Sequence, residues 1–366
     1  MKNIGIMTMH RIINYGSFLQ AYGLKKTLNE LGFNVEFVDY EYEGSLIKIS
    51  NNKKSLLKKI SKNINIIKYI KRKIMTKKFI KIYNESIFKY LNVSDEKNIR
   101  PTSIDSLVIG SDEVFNCLQE YPVGFSSELF GNHYFSKNVI SYAGCFGYTD
   151  YEGLKKYNKI EEVSEYFKKF KAISVRDKNS FNTIYKLTNI ISEEHLDPVL
   201  IANFDSEIIN SEPKYRNYII IYAYENRLSE DEEKYIKRFA KKYKKKIISL
   251  GVFQKIADYN IVVEPLEVLR YFKYADYVIT DTFHGTVFSI KMNTKFCTIV
   301  RNSNKNKLHY LLEKCNLVSQ EVNTLESIEK IFNKKISFYK TNNYLMEERK
   351  KSLDYLKSNL KWKLKN

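Results

Sequence analysis

The chain has 366 residues, of which 43% are hydrophobic, and a formal net charge of +19 at pH 7. This length exceeds what one hydrophobic core supports, and the apolar fraction argues against general disorder. So large a positive excess favours anionic partners, such as phosphorylated substrates, acidic polysaccharide, a lipid surface or nucleic acid. The positive charge could also reflect a genome rich in A and T. Such a genome favours Lys, Ile, Asn and Tyr, which are abundant throughout the chain.

The first forty residues predict a βαβ unit. Residues 4–9 form a short apolar strand, apolar residues recur at helical spacing over 18–31, and 35–40 predict the next strand. Residues 48–81 differ, because they contain 13 Lys or Arg and no acidic residue, with Ile and Leu between them. We interpret this stretch as a basic amphipathic insertion, and residues 353–364 have a similar character. Such segments could dock on anionic lipid or form a solvated helical face.

Strands and helices then alternate along the rest of the chain. The predicted strands are residues 106–109, 139–143, 172–175, 218–224, 247–250, 277–279 and 296–300, and the predicted helices are 159–170, 230–243 and 266–272. Such alternation predicts parallel sheets covered by helices. The sequence therefore predicts an α/β protein with two Rossmann-like domains and a central cleft. Residues 1–200 would form the first domain and 215–320 the second, while 321–366 would be C-terminal helices that could pack back on the first.

The cysteines and the lengths of the apolar runs indicate where in the cell the protein is located. The four cysteines form no CxxC pair and fit no zinc site: Cys117, Cys145, Cys297 and Cys315. We interpret them as reduced and structural. No run of 18 or more apolar residues occurs, and the apolar N-terminal stretch is too short for a secretory signal. These features predict a cytoplasmic protein, either soluble or peripheral at the inner face of the membrane.

The sharpest polar motif is Thr282-Phe283-His284-Gly285-Thr286, which follows an apolar strand and opens a helix. Backbone N–H groups at a helix N-terminus bind anions, and an imidazole beside them can contact phosphate or move a proton. The alternative is a capped helix whose His284 fills a polar niche. In open parallel sheets, ligands bind outside the carboxyl ends of the strands, so we expect this motif and those below to meet at one site.

Two further motifs follow strands of the first predicted domain. Arg176, in Ser174-Val175-Arg176-Asp177, could make a bidentate contact with carboxylate or phosphate, or simply pair with Asp177 at the surface. In Gly110-Ser111-Asp112, the glycine allows close backbone approach and Asp112 could accept a hydroxyl proton. A helix cap is the alternative for Asp112.

The motif after the first strand is Asn14-Tyr15-Gly16-Ser17, which is typical of a turn that binds phosphate or sugar. It is not a GxGxxG sequence, so it does not indicate a dinucleotide site. No P-loop, GxSxG or HExxH motif is present either.

The order and spacing of these motifs resemble the polysaccharide pyruvyl transferase family. The resemblance covers most of the chain and includes Ser141-Tyr142-Ala143-Gly144-Cys145-Phe146-Gly147 and Asp197-Pro198 besides the motifs above. It implies a fold similar to that of the GT-B glycosyltransferases, phosphoenolpyruvate as donor, and no metal or other cofactor. The acceptor would be a sugar of a cell-surface glycan, such as an exopolysaccharide, or of its lipid-linked precursor.

The resemblance also suggests roles for residues. Arg176 would bind the donor carboxylate or phosphate, His284 would contact phosphate and transfer a proton, and Asp112 would act on the acceptor hydroxyl. The other predicted substrate-binding residues are Asn14, Tyr15, Gly16, Ser17, Gly110, Ser111, Thr282, Gly285 and Thr286. Some members carry Arg before the motif His, where this chain has Phe283. A second anion contact would then come from backbone amides, Lys295 or Arg301.

Two other functions fit the same sequence. A GT-B glycosyltransferase that uses a nucleotide sugar would have a similar cleft, because fold alone does not decide function. A basic protein that binds membrane or nucleic acid without catalysis would explain the charge. We expect no nucleic-acid partner, since the sequence has no RRM, helix-turn-helix or zinc-finger signature. The sequence leaves the oligomeric state open.

Overall fold

The computed structural model of the protein describes residues 2–47, 66–94, 100–101, 103–119, 124–208 and 212–360. Within these ranges the chain forms two six-stranded sheets, and every strand pairing in both sheets is parallel. The predicted α/β class with two parallel sheets is therefore confirmed. Residues 48–65, the first part of the predicted basic insertion, lie outside the described residues.

The first sheet has the order β2-β1-β3-β4-β5-β6. Its strands are β1 (Asn3–Met7), β2 (Asn34–Phe37), β3 (Ser106–Asp112), β4 (Val139–Gly144), β5 (Ser174–Val175) and β6 (Glu193–Glu194). The helices of this part are α1 (Tyr15–Glu30), α2 (Ile66–Ser86), α3 (Tyr151–Lys156), α4 (Ile160–Phe167), α5 (Lys178–Thr188) and α6 (Pro198–Ile201). The central strands β1, β3 and β4 are almost wholly buried, as expected for a parallel sheet covered on both faces.

The second sheet has the order β12-β11-β10-β7-β8-β9. Its strands are β7 (Tyr218–Tyr222), β8 (Lys246–Leu250), β9 (Tyr259–Ile261), β10 (Tyr277–Thr280), β11 (Phe296–Ile299) and β12 (Glu321–Val322). Its helices are α7 (Glu230–Lys242), α8 (Pro265–Lys273), α9 (Phe283–Lys291), α10 (Lys305–Lys314) and α11 (Leu325–Asn333). Because β12 pairs with β11, this unit continues past the boundary predicted at residue 320.

The last helix, α12 (Tyr339–Leu360), returns to the first sheet. The Tyr355 hydroxyl donates to the backbone oxygen of Ser141 at 2.8 Å, and Lys2 Nζ donates to that of Leu360 at 3.2 Å. Leu356 and Leu360 are buried in this contact. The apolar side chains of residues 353–360 thus cover the first domain, which leaves them unavailable to a lipid surface.

Helix α2 contains the second part of the predicted basic insertion. Met75, Phe79 and Tyr83 recur every fourth residue along it and are buried against the first domain. The Tyr83 hydroxyl also donates to the backbone oxygen of His10 at 3.1 Å, in the loop before α1. The second part of the insertion is therefore anchored beside that loop through Met75, Phe79 and Tyr83.

Tyr15, at the start of α1, joins the two domains. Its buried hydroxyl donates to the backbone oxygen of Val263 at 2.9 Å and accepts from the backbone N–H of Val263 at 3.1 Å.

We expect Tyr15→Phe to lower the free energy of unfolding by about 1–3 kcal/mol, because it leaves both backbone groups unsatisfied. Urea denaturation would measure this loss. Tyr185→Phe, at an exposed tyrosine, is the control and should change stability by less than about 0.5 kcal/mol; equal losses would contradict the interdomain role.

Candidate functional site

A cavity of about 330 Å³ lies between the two domains. The first domain contributes Asn14, Ser17, Asp112 and Arg176 to its lining, and the second contributes Arg227, Thr282, His284 and Lys307. These residues lie at the ends of strands or in the segments that follow them, namely β1, β3 and β5 in one sheet and β7, β10 and β11 in the other. The carboxyl ends of both sheets therefore face one cavity, as open parallel sheets would place a ligand site.

Five side chains form a connected cluster beside this cavity. Arg176 donates from Nη1 to Oδ2 of Asp197 and from Nη2 to Oδ1 of Asp112, each at 3.0 Å. Nε2 of His284 lies 3.6 Å from the same Asp197 oxygen. The guanidinium carbon of Arg176 lies 4.3 Å from the ring centroid of Phe283, so the aromatic ring stacks on the cation. A buried cation is thus enclosed by two carboxylates and a ring.

The two carboxylates of the cluster are held in their ionised form. Burial raises the pKa of Asp112, but the positive charges of Arg176 and His284 outweigh it and leave that pKa below its ordinary value. Burial likewise raises the pKa of Asp197, and the nearby imidazole of His284 together with the charge of Arg176 lowers it below its ordinary value. Near neutral pH, Asp112 can therefore accept a proton and cannot donate one.

Helix N-termini add positive potential at the cavity. The Asn14 side chain caps α1 by accepting from the N–H of Gly16 at 2.7 Å. Thr282 caps α9 in the same way, accepting from the N–H of Gly285 at 2.9 Å. Both capping residues line the cavity, so the positive ends of two helix dipoles border it and favour a bound anion.

Two backbone features shape the site. A Cβ atom at Gly16 would overlap with the imidazole of His284, so the missing side chain allows the ring to approach α1. Asp112 has a φ of 72°, in the left-handed region that residues other than glycine rarely adopt. Strained backbone of this kind concentrates at functional sites, where the surrounding structure holds it in place.

The structure divides the predicted site residues into two groups. Asn14, Ser17, Asp112, Arg176, Thr282 and His284 line the cavity, and Tyr15 lines a smaller cavity of about 130 Å³ next to it. Gly16 contacts His284, as described above. The remaining four predicted residues do not line either cavity: Gly110, Ser111, Gly285 and Thr286. Some of them contact residues that do line a cavity. The Thr286 hydroxyl, for example, donates to the backbone oxygen of Thr282 at 3.1 Å.

The sequence analysis did not name Arg227 and Lys307 as site residues, yet both line the cavity. Lys307 donates to Glu113, and Arg227 Nη2 donates to the Ser303 hydroxyl at 2.9 Å. Lys307 lies in the first turn of α10, which follows β11, and this position after a strand was the signal available in the sequence.

The two cations proposed from the sequence lie elsewhere. Lys295 Nζ donates to the backbone oxygen of Phe332 at 2.8 Å, and Arg301 makes a bidentate pair with Glu232 at 2.7 and 2.8 Å. Neither lines the cavity, so the expectation that they supply the second anion contact is wrong.

All four cysteines are free and buried, as predicted. In the part of the chain that the structure describes, no group of three or more His, Cys, Asp or Glu side chains could hold a metal ion. Within that same part, no helix has both the length and the apolar character needed to cross a membrane.

Comparison with known proteins gives one family and one kind of fold. A family model described as polysaccharide pyruvyl transferase matches residues 14–304. No curated protein sequence matches the chain. Among solved structures, the UDP-GlcNAc 2-epimerase of Methanocaldococcus jannaschii matches with a TM-score of 0.50 and 12% identity, over 97% of this chain and 100% of that one. This likeness shows the fold alone.

Two further structures are similar at lower scores. The UDP-GlcNAc 2-epimerase of Neisseria meningitidis has a TM-score of 0.49 and 10% identity, over 96% of this chain and 100% of that one. A mutant O-GlcNAc transferase of Thermobaculum terrenum has a TM-score of 0.44 and 10% identity. That match covers 98% of this chain and 66% of the transferase, so the chain spans about two thirds of its length.

Proposed function

Because the chain belongs to the polysaccharide pyruvyl transferase family, whose model matches residues 14–304, we propose that it transfers pyruvate from phosphoenolpyruvate to a sugar. The sugar belongs to a cell-surface glycan or to its lipid-linked precursor. The observation that carries this proposal is the interdomain cavity, where Asp112, His284 and three cations converge: Arg176, Arg227 and Lys307.

The donor carries a carboxylate and a phosphate, which need cationic and N–H donors. Arg227 and Lys307 reach the cavity from the second domain, and the N-termini of α1 and α9 border it. We assign these groups to the two anionic ends of phosphoenolpyruvate. Arg176, which also lines the cavity, uses one N–H of each terminal nitrogen on Asp112 and Asp197. In this proposal it holds these two carboxylates, and its remaining N–H groups can contact phosphoenolpyruvate.

Ketal formation fixes the proton balance. Two sugar hydroxyls bond to C2 of phosphoenolpyruvate, the phosphate departs, and C3 gains one proton to become a methyl group. Of the two hydroxyl protons, one is matched by the proton gained at C3 and the other leaves with the phosphate. Asp112, ionised and within 3.3 Å of the Ser17 hydroxyl, accepts a hydroxyl proton.

In this proposal His284 delivers a proton, whereas Asp112 accepts one. Within the described residues its buried Nε2 has no hydrogen-bond partner and lies 3.6 Å from Asp197. With Nε2 beside Asp197, the other ring nitrogen, Nδ1, can deliver a proton to C3 or to the departing phosphate. Asp197 does not line the cavity and acts by orienting the ring.

Ligand-induced thermal stabilisation tests the donor. Phosphoenolpyruvate at about 100 times its Kd should add about 2.7 kcal/mol to the stability of the wild type. We expect Lys307→Met and Arg227→Met to lose most of this gain, because each removes a cation that lines the cavity. Lys305→Met is the matched control, since Lys305 lies in the same first turn of α10 but is exposed and does not line the cavity.

Two outcomes would contradict the proposal. Stabilisation by UDP-N-acetylglucosamine but not by phosphoenolpyruvate would indicate a nucleotide-sugar glycosyltransferase. Equal losses in Lys305→Met and Lys307→Met would show that the ligand responds to general charge rather than to this cavity.

A further inference from the structure

Helix α2 presents an exposed apolar face. Ile66, Ile70 and Ile74 follow one another at four-residue spacing and are 71%, 49% and 62% exposed. Four of the six exposed isoleucines in the described part of the chain lie on this helix: Ile66, Ile70, Ile74 and Ile80, against Ile13 and Ile191 elsewhere. Because Met75, Phe79 and Tyr83 fix the opposite side of α2 to the first domain, these isoleucines cannot turn inward.

The same face is strongly basic. Lys73, Lys77 and Lys81 also recur at four-residue spacing and alternate with the isoleucines, since residues three or four apart share one side of a helix. Residues 66–84 contain seven Lys or Arg and no Asp or Glu. Arg72, at the edge of this face, pairs with Glu225 at 2.7 Å. We call the set Ile66, Ile70, Lys73, Ile74, Lys77 and Lys81 the α2 face.

We propose that the α2 face docks on the surface of an anionic lipid bilayer. Isoleucine side chains would enter the boundary between headgroups and acyl chains, while the lysines contact anionic headgroups. A nucleic acid would use the lysines but gain nothing from four exposed isoleucines, because its backbone offers phosphates and no apolar layer. The combination of charge and apolar side chains on one helix face therefore favours lipid.

The α2 face lies close to the candidate site. Phe79, on the buried side of α2, lines the cavity of about 130 Å³. Asn14, Thr282 and His284 line both that cavity and the larger one. Docking through α2 would bring the interdomain cavity to the membrane surface, where a lipid-linked sugar is presented. This last step rests on the proposed function, whereas binding to lipid does not.

Sedimentation with lipid vesicles tests the proposal. The wild type should bind vesicles of phosphatidylcholine and phosphatidylglycerol in equal parts, and bind phosphatidylcholine alone much more weakly. Each basic residue near an anionic surface contributes about a fivefold factor, so Lys73→Gln/Lys77→Gln/Lys81→Gln should weaken binding about 100-fold. Ile70→Gln/Ile74→Gln should also release the protein from the mixed vesicles, without a change in charge.

The matched control variants remove three lysines or two apolar side chains from surfaces other than the α2 face. Lys155→Gln/Lys237→Gln/Lys241→Gln takes away three exposed lysines, and Ile191→Gln/Met346→Gln takes away two exposed apolar side chains. Both should bind the mixed vesicles as the wild type does. All substituted residues are exposed, so we expect every variant to remain folded, and the phosphoenolpyruvate-induced stabilisation should be retained in each.

Three results would overturn the docking proposal: equal wild-type affinity for the two vesicle types, equal losses in the α2 and control variants, or binding to duplex DNA as tight as to the mixed vesicles. Vesicle binding through α2 without stabilisation by phosphoenolpyruvate would instead refute the proposed function and leave the docking surface in place.

Discussion

Replacing Arg176 with alanine is expected to lower the free energy of unfolding by about 3–5 kcal/mol, because two carboxylates lose their buried cation. Side-chain exposure is 2% for Arg176 and 0% for Asp197, so the loss falls mainly on Asp197, whereas Asp112, at 14%, borders the cavity. The variant also loses the stacking of the guanidinium on Phe283. Urea denaturation at neutral pH would measure the difference.

The same variant should respond differently to acid. In the wild type the pKa values of Asp112 and Asp197 lie below their ordinary values. The stability that they contribute is therefore fully present above their unfolded pKa values and is lost as the pH falls through the folded ones. Without Arg176, burial is less opposed and both folded pKa values rise. We expect the stability difference between wild type and variant to be largest near neutral pH and to shrink as the pH falls, because the wild type loses this contribution in acid and the variant has little of it to lose.

Arg216→Ala provides the matched control for these measurements. Arg216 and Glu212 form an exposed pair, so its loss should change stability by less than about 0.5 kcal/mol and leave the pH dependence unchanged. If Arg176→Ala and Arg216→Ala cost the same, or if the cost of Arg176→Ala is as large in acid as at neutral pH, the cluster does not hold its carboxylates as described.

Removing His284 should have the largest effect on the proposed reaction. We expect His284→Ala to lower kcat about 100- to 10,000-fold, because general acid–base groups contribute a factor of that size. Gly16→Ala should lower kcat about 100-fold with His284 present, since the added methyl group overlaps with the imidazole and displaces it. Phosphate released from phosphoenolpyruvate in the presence of the sugar acceptor would measure both.

The double variant decides whether Gly16 acts through the imidazole. In the His284→Ala background, Gly16→Ala should cost nothing further, because the group that it displaces is gone. Gly23→Ala is the control in the same helix: its added Cβ would lie 3.0 Å from the backbone oxygen of Pro198 and away from His284. An equal effect of Gly16→Ala in both backgrounds would mean that it disturbs α1 rather than the site.

The location of the site could be predicted from the sequence, but its internal contacts could not. Apolar runs followed by polar motifs indicate strand ends, and parallel sheets bring such ends to one edge. The partners of Arg176 lie 64 and 21 residues away along the chain, and no local pattern links them. Arg227 and Lys307 were missed for a related reason: they are two of 61 Lys and Arg residues, and only the fold distinguishes them.

The helix α2 shows how one pattern can hide another. Its lysines and isoleucines indicated a basic amphipathic insertion. Met75, Phe79 and Tyr83, however, recur every fourth residue within it and are buried. These large side chains carry the packing energy of the helix, whereas the more numerous Lys and Ile side chains face outward. The spacing of the largest apolar residues was therefore the better predictor.

The return of α12 to the first sheet has a mechanical consequence. The chain passes between the domains twice, once between α6 and β7 and again between α11 and α12. A body attached at two points turns most easily about the line through them, so these two connections would restrict a relative rotation of the domains to one hinge axis. Donor entry and phosphate release would follow this single rotation, which returns Asp112 and His284 to the same alignment after every turnover.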